Sequence, residues 1–98
     1  MDLSNQAIKP RGNNMRERFI SMITWYEDTS TKIETKDPYQ IKLFDKMKAW
    51  TPRARNMLEH SDQSIVDWIK NEIANTNGKL GAFEQYLAIE LARVINEV

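Results

Sequence analysis

The chain has no cysteine. Its fold therefore rests on no disulfide, and zinc or iron–sulfur centres with thiolate ligands are excluded. A reducing, cytoplasmic setting is the expectation. Glycine and proline are scarce, three of each in 98 residues, which favours a few long elements over many short strands. Histidine occurs once, as His60. No window holds the roughly 18 apolar residues that a membrane-spanning helix needs. The opening residues, MDLSNQAIKPRGNN, contain no apolar run and do not read as a secretory signal. A charge of one sign is also missing. Fourteen Lys and Arg balance fourteen Asp and Glu, and the pI near 6.6 lacks the basic signature of most nucleic-acid-binding domains.

What the chain does have is bulk and periodicity. Three Trp, three Tyr and three Phe supply groups that bury large areas, which argues against wholesale disorder. Residues 1–14 are polar, with Pro10, Gly12 and paired Asn, and are expected to form a flexible tail ahead of a single helical domain over 15–98. Met15, Phe19, Met22, Ile23 and Tyr26 follow three- and four-residue steps, which predicts a helix over 15–28 capped by Asn13 or Asn14. Thr29, Ser30, Thr31 and Thr35 compete for local backbone bonds and predict a loop, with room for a short strand.

Asp37 followed by Pro38 is a helix start. The stripe Ile41, Phe44, Met47 and Trp50 carries that helix to Thr51–Pro52, where the proline predicts a corner and a new short helix over 52–59. Ser61 or Asp62 opens the next helix, with Ile65, Val66, Trp68, Ile69 and Ile73. Gly78 is expected to close it in the left-handed conformation. Leu80, Phe83, Leu87, Leu91, Val94 and Val98 predict a last helix over 79–97. The expected fold is all-α, a single small domain of four to five helices with a flexible N-terminal tail.

Catalytic constellations are sparse. Glu59, His60 and Asp62 are adjacent in sequence, but neighbours one and two apart do not share a helix face. The plain reading of His60 is a histidine at a helix C-terminus. The three glycines, at 12, 78 and 81, form no phosphate-binding loop. No strand–turn–helix elbow surrounds a serine. The expectation is a non-enzymatic protein with no cofactor and no metal.

Charge is distributed unevenly instead. Residues 42–55 carry Lys42, Lys46, Lys48, Arg53 and Arg55 against Asp45, a local +4, whereas residues 56–98 carry −4. Segregated charge steers a complementary partner, and Trp and Arg are enriched at contact centres. Lys46, Lys48, Trp50, Arg53 and Arg55 are therefore the expected partner-binding residues, on a basic helix corner. Trp25 falls off its helix stripe and is a second candidate for the surface. The leading functional expectation is a small accessory protein that binds a larger protein, such as a phage-encoded modulator or inhibitor of a host enzyme, acting as monomer or homodimer. The alternative is nucleic-acid binding through the 42–55 block, whose cations would neutralise phosphates. Residues 52–59 and 62–75 also mimic helix-turn-helix spacing, but the second of these segments carries Asp62, Asp67 and Glu72 and no Arg.

Overall fold

The structure is a computed structural model that describes residues 11–76, 78, 79 and 81–96, with the backbone alone for 11–14. The expected tail lies outside the described residues as far as residue 10, as do Leu80, Glu97 and Val98. The described residues form four helices, α1 (Arg11–Lys32), α2 (Pro38–Asn56), α3 (Asp62–Thr76) and α4 (Ala82–Asn96), with a 3-10 turn (Met57–Glu59) after α2. Among the described residues there is no strand. The protein is all-α. Among the described residues no helix is long and apolar enough to cross a membrane.

The helix α1 overruns its predicted ends on both sides. It starts at Arg11, so Asn13 and Asn14 lie inside it rather than capping it. At the other end Ser30 donates to the Glu27 carbonyl at 3.3 Å and Thr31 to the same carbonyl at 2.7 Å. Hydroxyls that bond back to the preceding turn are compatible with a continuing helix. Ser30 also extends the buried stripe of Met15, Phe19, Met22, Ile23 and Tyr26 by another turn, so packing carries the helix past the predicted loop.

The helix α2 opens as the sequence indicates. Asp37 accepts from the Tyr39 N–H at 3.0 Å, with Pro38 at the first helical position. The predicted corner at Thr51–Pro52 is absent, because α2 runs through Pro52 to Asn56. An interior proline loses one helical hydrogen bond and costs roughly 3 kcal/mol. The offsetting term is burial on both sides of it: Phe44, Met47, Trp50, Thr51 and Ala54 form one unbroken buried stripe. Pro52 and Lys48 are both exposed, so the Lys48 carbonyl that lacks its helical donor lies on the wet side, where water can serve it. The short helix 52–59 is thus the end of α2 plus a 3-10 turn, and the helix-turn-helix spacing disappears with it.

Ser61 caps α3 by accepting from the Ser64 N–H at 3.1 Å. Gly78 has φ 85°, the left-handed residue expected after α3. The helix α4 starts three residues later than predicted, at Ala82. Gly81 accepts its first helical hydrogen bond, from Gln85 at 3.1 Å. A side chain at Gly81 would collide with the Glu84 carboxylate, which folds back over it.

The helices α1 and α2 pair most extensively, α3 pairs with α4, and α1 against α4 joins the two pairs. Phe19, Ile23, Tyr26, Ile65, Ile69 and Leu91 are the largest fully buried side chains, each worth about 1.5–3 kcal/mol of burial. A chain of aromatic rings crosses the core and touches every helix. The Tyr26 ring lies 5.6 Å from Trp50, 6.3 Å from Phe83 and 6.2 Å from Tyr86, between ring centroids. Trp50 continues to Trp68 at 5.9 Å, and Trp68 to Phe19 edge-on at 6.1 Å. Such pairs add about 0.5–1.5 kcal/mol each beyond the area they bury.

Candidate functional site

The basic block of α2 is the first candidate surface; the fold buries Trp50 and leaves the five cations exposed, three of them in ion pairs with other helices. Trp50 is only 4% exposed. Its indole N–H donates to Glu72 of α3 at 2.9 Å. The expected anchor is therefore a core residue, because the stripe that carries it continues past Pro52 instead of turning out at a corner. Arg53 donates to the other Glu72 oxygen at 2.9 Å and places its guanidinium 5.6 Å from the centre of the Trp68 ring. Glu72 is buried and would be costly as a lone carboxylate. Trp50 and Arg53 supply the donors that make its position tenable.

Arg55 and Lys46 have corresponding roles on other helices. Arg55 forks onto Glu27 of α1, with both N–H···O distances 2.8 Å. The hydrogen-bonded guanidinium holds the Glu27 carboxyl below its ordinary pKa, and Glu27 in turn raises that of Arg55. Lys46 donates to Glu84 of α4 at 3.0 Å and lowers the Glu84 pKa chiefly through that hydrogen bond. Three of the five cations thus tie α2 to α1, α3 and α4 in turn. Lys42 and Lys48 make no ion pair among the described residues. They do not share a surface either. Lys42 lines a cavity of about 180 Å³ with Tyr39, Lys46 and Phe83, whereas Lys48 lines an open groove of about 620 Å³ with Ile33, Ile41 and Asp45.

Sequence reasoning passed over Arg16. Its guanidinium donates to Asp62 at 2.8 Å, to the Leu58 carbonyl at 2.9 Å and to the His60 carbonyl at 2.6 Å. One side chain from α1 thereby holds the turn between α2 and α3. His60 contributes only its backbone to this arrangement. Among the described residues, no group of three or more His, Cys, Asp or Glu could hold a metal ion.

Two half-exposed aromatic rings lie against each other on the α1–α4 face. Trp25 is 49% exposed and Tyr86 41%, and their ring centroids lie 6.3 Å apart. Ile89 follows Tyr86 by three residues, on the same side of α4, and is 54% exposed. Beneath them Tyr26 stacks on Tyr86 and touches Trp25 at 5.7 Å. The Tyr26 hydroxyl is buried without a hydrogen-bond partner among the described residues, and its pKa is raised by burial, by Tyr86 and by Glu90. The displacement of Trp25 from the Met15–Phe19–Ile23 stripe is the sequence signal for this face. Tyr86 and Ile89 fall off the Phe83–Leu87–Leu91 stripe in the same way. The chain has no significant match among protein-family models, curated proteins or solved structures.

Proposed function

We propose that this chain is a non-enzymatic binding module that docks on a larger protein through the α1–α4 face centred on Trp25. One observation carries the reading. Trp25, Tyr86 and Ile89 leave roughly half of their surfaces in water although neighbouring rings are buried. Half-exposed aromatic and apolar groups side by side, resting on a rigid core, have the composition of a binding hot spot. Docked in this way, so small a chain would modulate its partner by covering part of that partner's surface.

The geometry gives less support to nucleic-acid binding by the 42–55 block. Lys46, Arg53 and Arg55 are engaged with carboxylates of this chain, so a phosphate would have to compete with them. The two remaining cations line different hollows.

Affinity capture from source-cell lysate with wild-type protein and with Trp25→Ala tests the proposal, provided helicity is matched by circular dichroism. The expected result is a specific partner that is lost with Trp25→Ala. Retention of the same partner by the folded variant would refute the assignment of the face.

A further inference from the structure

The α1–α4 face carries more than apolar surface. Glu90 follows Tyr86 by one helical turn, so its carboxylate shares the side of α4 that bears the exposed ring. Its side chain is only 27% exposed, yet its cationic partner is loosely placed. Arg93 approaches it at 3.4 Å and is itself 70% exposed. Another exposed ion pair on α1, Asp28 with Lys32, is also long, at 3.4 Å. These contacts contrast with the 2.8–3.0 Å bonds that tie α2 to the other helices. A half-sheltered carboxylate one helical turn from Tyr86, whose ring meets Trp25, suits a cation. Ring faces attract cations electrostatically, and desolvation by the rings strengthens the attraction of the carboxylate.

We propose that Trp25, Tyr86 and Glu90 form a seat for an arginine or lysine side chain of the partner protein. The incoming group would lie against the Trp25 and Tyr86 rings and donate to Glu90, displacing the weakly held Arg93. Ile89 would receive the apolar stem or a neighbouring apolar residue. The inference rests on the docking face described above and specifies the chemistry of what it meets. The sign follows from Glu90, whose cation Arg93 stands at 3.4 Å, where Lys46, Arg53 and Arg16 hold Glu84, Glu72 and Asp62 at 2.8–3.0 Å.

The test is a titration of the full chain with three blocked tripeptides that differ only in a central Arg, Leu or Glu, followed by NMR at the indole N–H of Trp25. The Arg peptide is expected to move that resonance saturably in the millimolar range, and the Glu peptide to leave it in place. Glu90→Gln should weaken the Arg peptide by about two- to fivefold, the range of an exposed cation–π or ion-pair contact, while the amide spectrum stays dispersed. Trp25→Ala, at an exposed position, should abolish saturable binding as read at the Tyr86 ring protons. Equal shifts with the Leu and Arg peptides, or no shift with any of them, would overturn the cation seat. Migration of the Trp25 resonance on dilution of the protein alone would also overturn it, by assigning the face to a second copy of the chain. Loss of the cation seat together with retained capture of a partner through Trp25 would leave the docking reading standing.

Discussion

Trp50 and Trp25 sit in contrasting regions of the same small core. Around Trp50, the indole N–H, a buried carboxylate and a guanidinium satisfy one another, and the ring is sealed by Tyr26 and Trp68. Around Trp25 there is contact with Tyr26 and Tyr86 but half the ring faces water. The two regions show that a cluster of cations around a tryptophan does not by itself mark a surface that grips a partner. In this chain three of the five cations on α2 tie it to other helices, and the two half-exposed rings that lie against each other, Trp25 and Tyr86, are on α1 and α4.

Substitutions should separate the two regions by the kind of loss they cause. Trp50→Ala is expected to have the largest effect, about 3–5 kcal/mol of stability. It opens a cavity next to three helices and removes a donor from Glu72, and urea unfolding should show it directly. Glu72→Ala comes next, at about 2–3 kcal/mol, because a buried indole N–H then has no acceptor while the exposed Arg53 recovers water. Glu72→Gln keeps an acceptor for Trp50 and should recover part of that loss. Arg16→Ala removes three hydrogen bonds at the α2–α3 turn and should cost about 1–2 kcal/mol. Arg16→Lys is expected to do little better, since an ammonium cannot reproduce the fork. Thermal unfolding would resolve each of these at about 4–8 °C per kcal/mol in a chain of this size.

Acid should weaken two of the ties of α2. The Glu27 and Glu84 pKa values are depressed in the folded chain by Arg55 and Lys46. Their contribution is therefore complete above the ordinary glutamate value and is lost as pH falls through the lower, folded-state values. Glu27→Gln and Glu84→Gln should each flatten the acid limb of the stability–pH curve. An unchanged limb would contradict those ion pairs. The smallest expected effect on stability is that of Trp25→Ala, at most about 1 kcal/mol for a half-exposed ring.

The helical class and the start of α2 were legible because a period of three to four residues and the Asp37–Pro38 pair each have one dominant physical meaning. The positive φ of Gly78 was legible for the same reason. Pro52 misled because its local cost is larger than any single neighbouring signal. Only the continuity of Phe44, Met47, Trp50, Thr51 and Ala54 across it reveals the helix. The ion pairs of Lys46, Arg53 and Arg55 join residues 19 to 38 apart in sequence, and such pairing has no local signature. Gly81 is a further instance. Its lack of a side chain makes room for the Glu84 carboxylate and thereby for Lys46, a relation visible only once α2 and α4 are side by side.

Fluorescence quenching by acrylamide, compared between Trp25→Phe and Trp50→Phe, tests the contrast most directly. Trp25→Phe should abolish most of the quencher-accessible emission, and Trp50→Phe should leave it intact. The opposite pattern, with the accessible emission residing in Trp50, would show that the α2 basic block is the open surface and would contradict the account.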